Sequence, residues 1–266
     1  MRVTQPVADP QAPLARRNPL AKLAAAFVLS FPLLATLDPL TPSIYLAVEL
    51  AVVPFTGVRW RALARVMWPL WLAAAGVLFA QLVFAAERTG RVVASLGPFE
   101  IHSDPLTAGI GLAIRIFAVA LPNLLAFATT DPTDLADALV RYLKVPARFA
   151  IGALAALRLL PLLVAEWDSL GMARRARGID AGFNPIARLK LFGSTLFALL
   201  VGAIRRGTRL ATAMEARGFD SGTPRTMARS QHFGLADWVL ILAAVALAAG
   251  GLALSVTLGL FRPVIS

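Results

Sequence analysis

Residues 66–86, 106–129 and 235–260 are almost wholly apolar, charged only at Arg115 inside the second run and Asp237 near the start of the third. A bilayer core of about 30 Å takes roughly 20 apolar residues of helix to cross, so each run has the length of a membrane span. Two shorter apolar runs, 23–37 and 44–56, are joined by Asp38-Pro39-Leu40-Thr41-Pro42. Turn-forming residues between short apolar segments predict a short or tilted hairpin, giving five spans. A composition that is 58% hydrophobic agrees, and no soluble class is compatible with it.

Arg16-Arg17 ahead of residues 23–37 has the look of a signal peptide, but no small-x-small cleavage site follows, and the run is read as a retained first span. Two further stretches are marginal. Residues 149–165 carry Arg158 and Pro161, and residues 191–204 run straight into Arg205-Arg206. A charge at the bilayer centre costs at least a few kcal/mol and Pro removes a backbone hydrogen bond. Both stretches are therefore expected to be long helices at or beneath the interface.

Charge placement sets the orientation. The chain has 26 Lys and Arg against 15 Asp and Glu, a net charge of +11. Four basic residues precede the first span (Arg2, Arg16, Arg17, Lys22), three lie in the second loop (Arg59, Arg61, Arg65) and fifteen fall between Arg141 and Arg229. The opposite side keeps only Arg88, Arg91 and Arg262. The positive-inside rule places the N-terminus in the cytoplasm of a multi-pass inner-membrane protein and, with five spans, the C-terminus outside. The same bookkeeping accounts for the basic excess without nucleic acid, for which no aromatic-interleaved basic stripe exists.

The expected fold is an all-α membrane protein with about five transmembrane helices and a cytoplasmic domain of about three long helices. Residues 1–18 form a disordered tail rich in Pro and Gln (Gln5, Pro6, Pro10, Gln11, Pro13). Residues 19–129 hold four spans, 130–232 the cytoplasmic helices and 233–266 the last span. Asp131 as N-cap with Pro132 at the first helical position opens the cytoplasmic region. Lys144-Val145-Pro146 ends that helix, a second runs from about Ala147 to Arg177, and Asn184-Pro185 opens a third reaching about Arg217.

Within this region a heptapeptide occurs twice. Ala176-Arg177-Gly178-Ile179-Asp180-Ala181-Gly182 returns as Ala216-Arg217-Gly218-Phe219-Asp220-Ser221-Gly222, identical at five of seven positions. Each copy reads as a helix C-terminus, with Ala in the helix, Arg in the last turn and Gly supplying the left-handed residue that stops it. One such end is ordinary capping, since Arg near a helix end complements the macrodipole. Two ends that also share the downstream Asp and Gly exceed what capping requires. Arg174, Arg175 and Glu215 flank the copies, and Asp180 and Asp220 follow them.

Catalytic alternatives are thin. There is no Cys, and His102 and His232 are the only histidines, too few for a His/Cys zinc cluster. A phosphate-cradling Gly-rich loop ending in Lys-Ser/Thr is absent, so ATP is not expected to bind this chain. Asp131, Asp134 and Asp137 suggest a metal site less well than a cap followed by a solvated face. Inside the spans, Arg115 and Glu49 are candidates for a buried pair, with a transport role for Arg115 equally open. The small-residue runs 73–76 and 243–251 permit close helix approach, and Met172, Met214 and Met227 read as gap fillers.

The chain resembles the transmembrane T component of energy-coupling-factor transporters, vitamin and transition-metal importers of the ABC superfamily. The resemblance rests on Asn18-Pro19-Leu20-Ala21-Lys22-Leu23, on Thr129-Thr130-Asp131-Pro132-Thr133-Asp134-Leu135-Ala136-Asp137-Ala138-Leu139, and on Leu157-Arg158-Leu159-Leu160-Pro161-Leu162-Leu163. Above all it rests on Ala173-Arg174-Arg175-Ala176-Arg177-Gly178 and Ala213-Met214-Glu215-Ala216-Arg217-Gly218-Phe219. It implies a non-catalytic coupling subunit with no cofactor of its own. Its two Ala-Arg-Gly ends (Ala176, Arg177, Gly178; Ala216, Arg217, Gly218) would dock into grooves of two ATP-binding ATPase subunits, while another surface holds a small substrate-binding membrane protein. The substrate would be selected by that protein. A conventional ABC permease is the alternative, though its single Glu-Ala-Ala-type coupling signature is not found, and a membrane-bound transferase is the third reading.

Overall fold

The computed structural model describes residues 12–36, 38–84, 90–96, 99–179, 182–219 and 232–259. Asp180, Asp220, Ser221, Gly222, Met227, Arg88, Arg262 and the Pro- and Gln-rich tail up to Gln11 lie outside the described residues. Eight α-helices make the described architecture: α1 (Pro19–Ala35), α2 (Leu40–Val52), α3 (Trp60–Phe84), α4 (Ser103–Ala128), α5 (Pro132–Tyr142), α6 (Ala147–Ala176), α7 (Pro185–Ala216) and α8 (Leu235–Thr257). A single 3-10 turn, Val53–Thr56, follows α2. A small antiparallel hairpin of β1 (Val92–Leu96) and β2 (Phe99–His102) joins α3 to α4. The sequence reading did not foresee it, because two strands of five and four residues between two spans carry too little pattern to separate a hairpin from a loop.

Two compact units divide the chain, Met1–Ala138 with Gln231–Ser266, and Leu139–Ser230. In the first, α1 packs on α8 and α4, α2 on α4 and α8, and α3 on α4. Its interior is small: Leu33, Tyr45 and Ala118 form one buried cluster, and Val53, Val58, Leu63, Leu121 and Leu125 another. Its outside is apolar, with Phe27, Trp68, Trp71, Leu72, Phe79 and Trp238 exposed. An exposed apolar surface of this extent suits lipid rather than water, and without a hydrophobic drive between helices their contact relies on close packing and buried hydrogen bonds.

Both devices are visible. On α8 the buried residues Ala244, Ala248, Gly251 and Ser255 share one face. Their small size admits Tyr45 of α2, whose hydroxyl donates to the Ala248 carbonyl at 2.7 Å. A Cβ at Gly251 would fall 2.3 Å from the Tyr45 ring. The run 243–251 is thus used for packing within this chain.

Hydrogen bonds also fix the direction of each helix. Asn18 caps α1, its Oδ1 accepting from Leu20 N–H at 3.0 Å, and its own N–H donates to Asp237 Oδ1 at 3.0 Å. The other Asp237 oxygen accepts from Gly234 N–H at 2.9 Å, closing the first turn of α8. The starts of α1 and α8 therefore lie together. Lys22 Nζ donates to the Thr129 carbonyl at 2.7 Å, which brings the end of α4 to the same place. A Cβ on Gly57 would clash with Ala12, so the end of the α2 segment returns there too. α1, α2, α3, α4 and α8 alternate in direction across this unit, and the region between Thr129 and Gly234 leaves it and rejoins it at one end.

At the far side Asp38 turns the chain from α1 into α2. Its Oδ2 accepts from Thr41 N–H at 2.9 Å, from Thr41 Oγ1–H at 2.6 Å and from Ser255 Oγ–H at 2.9 Å. Arg115 of α4 donates to the Asp38 carbonyl at 3.3 Å. Of the two readings open for Arg115, the pair with Glu49 does not form: both Glu49 oxygens are buried without a partner. Fourteen residues separate Arg115 from Thr129, about 21 Å of helix at 1.5 Å per residue. The α1–α2 hairpin consequently stops level with the middle of α4, as its short apolar runs predicted.

Five helices are long and apolar enough to cross a membrane, namely α3, α4, α6, α7 and α8. The number matches the sequence expectation and the membership does not. α1 has 17 residues and α2 13, below that length. α6 and α7 run 30 and 32 residues and pass it. The sequence expectation of long helices from about Ala147 to Arg177 and from Asn184-Pro185 to about Arg217 matches their extent, with α6 continuing through Pro161; both also have the length and composition to cross, and neither is among the five spans expected.

Candidate functional site: the two Ala-Arg-Gly helix ends

α6 and α7 form the second unit, an antiparallel pair joined by residues 177–184. Asn184 caps α7, its Oδ1 accepting from the N–H groups of Ile186 at 3.0 Å and Ala187 at 3.3 Å, with Pro185 at the first helical position. Both features were legible locally. Three contacts that were not hold the pair together. Arg174, near the end of α6, donates to the Leu191 carbonyl at 3.0 Å and to Ser194 Oγ at 2.8 Å, with a further bond to Thr195 Oγ1. Arg206 of α7 pairs with Glu166 of α6, and Trp167 meets Phe192 edge-on at 5.4 Å.

The two repeats make the same backbone structure. At the first, Arg177 is the C-cap with φ −89° and ψ 8°, and Gly178 is left-handed at φ 73°. Gly178 N–H donates to the Arg175 carbonyl at 3.0 Å and Ile179 N–H to the Arg174 carbonyl at 3.0 Å. At the second, Arg217 has φ −89° and ψ 8°, and Gly218 φ 74°. Gly218 N–H donates to the Glu215 carbonyl at 2.9 Å and Phe219 N–H to the Met214 carbonyl at 3.1 Å. This paired pattern is the Schellman motif. A side chain at Gly178 would meet no neighbouring atom, and at either glycine it would be strained by the positive φ.

Ala176, Arg177, Gly178, Ala216, Arg217 and Gly218 are all exposed, as are Arg175 and Glu215. Arg174 differs from the other flanking residues: it is half-buried and engaged by α7. The first end also borders a groove of 530 Å³ whose walls include Trp167, Arg175, Phe183 and Arg188. Arg188 Nε donates to the Gly182 carbonyl at 2.9 Å, bracing the turn between the helices. Because Arg174 reaches the first turns of α7, the first repeat lies beside the start of α7 and the second at its end. A helix of 32 residues spans about 48 Å, so the repeats present identical caps roughly that far apart.

Elsewhere Asp131 serves as the cap expected of it, accepting from Thr133 N–H at 2.7 Å. Asn18, Lys22 and Thr129, which lie in the segments carrying the family resemblance, converge at one end of the first unit. Asp237, central to that junction, had one local signal: an acidic residue three positions after a helix-opening Gly.

Alternating apolar helices with a lipid-compatible surface define a multi-pass membrane protein, and comparison with known proteins places it among transport components. The family described as cobalt transport protein matches residues 10–228. Over 210 residues the chain is 33% identical to the energy-coupling factor transporter transmembrane protein EcfT 1 of Listeria monocytogenes serotype 1/2a (strain 08-5578), covering 76% of this chain and 78% of that one. It is 37% identical over 175 residues to the EcfT of Exiguobacterium sibiricum, 63% of this chain and 66% of that one. With the EcfT of Bacillus subtilis (strain 168) the identity is 29% over 244 residues, 88% and 91% of the two chains. The chain belongs to this family and is the transmembrane component of an energy-coupling factor transporter, a complex with partner subunits.

Proposed function

We propose that this chain couples two cytoplasmic ATPase subunits to a small substrate-binding membrane protein in vitamin or transition-metal uptake, and that Arg177 and Arg217 are its docking cations. The observation that carries the reading is the repetition of one exposed Ala-Arg-Gly cap at the C-terminal ends of α6 and α7. A planar five-donor guanidinium suits an acidic groove, and the preceding Ala lets the helix end approach closely. ATP-driven closure of the partners would shift the two caps relative to each other, and the rigid α6–α7 pair would carry that motion. ATP belongs to the partner subunits, and this chain acts without catalysis.

Charge favours a cytoplasmic α6–α7 platform in the inner membrane. The region between Thr129 and Gly234 begins and ends on one side, so α6 and α7 either both cross or both stay. Both ends of each helix are basic: Arg148 and Arg174-Arg175 on α6, Arg188, Lys190 and Arg205-Arg206-Arg209 on α7. Crossing would carry several of these to the outer side, against the positive-inside bias. The same bias sets the N-terminus inside and the C-terminus outside. The relatives are named as energy-coupling factor components, which favours this reading over a conventional permease or a transferase.

Affinity purification of the tagged chain from gently solubilised membranes tests the proposal. ATPase subunits and a small membrane protein are expected with the wild type, and the Arg177→Glu/Arg217→Glu variant should lose the ATPases while keeping its helical spectrum. Equal ATPase recovery from both would overturn the docking role.

A further inference from the structure

Glu49 is the most anomalous residue in the first unit. It sits on α2, 6% exposed, with neither carboxylate oxygen hydrogen-bonded. A buried acid without a partner is costly in apolar surroundings, and the docking proposal makes no use of it. Glu49 lines a cavity of 210 Å³ between α1, α2, α4 and α8, whose walls are otherwise formed largely by apolar side chains such as Val48, Val52, Leu240 and Leu247. Lys22 is the one cation on that wall, and of its three donors one is committed to Thr129.

These features specify an occupant. Water needs two to four polar partners to settle in a cavity, more than this wall supplies along most of its length. A partner helix, about 10–12 Å across, is too wide to enter a slot of 210 Å³ that opens between α2 and α8, where Val48, Val52 and Ala243 are exposed. An unbranched hydrocarbon chain fits such a slot. Lys22 lies one turn from the start of α1, at the end of the unit where Arg16, Arg17, Arg59 and Arg61 gather, so its ammonium is at headgroup depth, and Glu49, near the end of α2, lies inward of it. A carboxyl group with both oxygens unsatisfied and a lysine ammonium on one apolar wall complement a headgroup that carries both a primary ammonium and a phosphate.

We infer that the cavity between α1, α2, α4 and α8 binds a phosphatidylethanolamine-type lipid, its ammonium on Glu49, its phosphate toward Lys22 and an acyl chain along α2 and α8. The inference is independent of the docking role of Arg177 and Arg217.

The test is native mass spectrometry of the purified full chain after equilibration with equal amounts of phosphatidylethanolamine, phosphatidylglycerol and phosphatidylcholine. One tightly held phosphatidylethanolamine is expected on the wild type. Glu49→Gln should reduce its retention about tenfold relative to the other lipids, the loss of one charge-assisted hydrogen bond. Val52→Trp, which keeps Glu49 and fills the slot, should expel lipid of every headgroup from it. Helical circular dichroism and gel filtration check that each variant is folded, and either one alone suffices to decide. Retention without headgroup preference, unchanged phosphatidylethanolamine in a folded variant, or a bound polypeptide in place of lipid would overturn the inference.

Discussion

Replacing Asp237 with Ala separates the starts of α1 and α8. The Asp237 carboxylate is 4% exposed and accepts from Asn18 N–H at 3.0 Å and Gly234 N–H at 2.9 Å. Asn18 is itself buried, so its N–H would be left without a partner, at about 1–3 kcal/mol. Gly234 is exposed, and water can replace the carboxylate there, limiting that loss to about 1 kcal/mol. The sum is roughly 2–4 kcal/mol, and at about 2–4 °C per kcal/mol for a chain of this size the midpoint should fall on the order of 8 °C. Asp237→Asn keeps one acceptor oxygen and should fall about half as far. Thermal unfolding in a mild detergent, followed by loss of monodisperse gel filtration, reads both. A shift below about 2 °C for Asp237→Ala would mean that the α1–α8 junction does not hold the bundle together, and the argument that residues 130–234 begin and end on one side would lose its anchor.

Two further expectations follow from packing and charge. Gly251→Leu drives a side chain into the Tyr45 ring, where even a Cβ falls at 2.3 Å; overpacking of this kind costs about 1–3 kcal/mol, and Gly251→Leu/Tyr45→Ala should recover part of the loss in the same unfolding assay. The two caps share a backbone but not a charge: Arg175 flanks Arg177 where Glu215 flanks Arg217. Docking at the first end should therefore be the more salt-sensitive, since exposed charges are screened within about 8 Å at physiological ionic strength, and Arg175→Glu should lower ATPase recovery more than Glu215→Arg. Equal effects of the two charge reversals would count against unequal ends.

What the sequence disclosed tracks how local each determinant is. Asn184, Pro185, Gly178 and Gly218 act on backbone groups within a few residues, and the ends of α6 and α7 fell where those residues placed them. The repeat announced two matching caps because the Schellman pattern depends on a left-handed Gly and little else. Partners distant in sequence were not legible. Asp237 and Asn18 are 219 residues apart, and Lys22 and Thr129 are 107 apart. Arg115 and Glu49 looked like a pair because opposite charges in apolar segments usually need one another, yet Arg115 turned to a carbonyl freed at the α1–α2 turn. Pro161 and Arg158 argued only against counting α6 as a span, and the helix runs through both over 30 residues.

The chain has no Cys, so single cysteines placed at the two caps report their neighbours without background. Ala176→Cys and Ala216→Cys, each treated in native membranes with a short thiol cross-linker, measure directly whether both helix ends touch ATPase subunits. The account predicts an ATPase adduct from each position, with the yield changing when ATP is added. Adducts from neither position, or from one alone, would contradict a platform that couples two ATPases through matching helix ends.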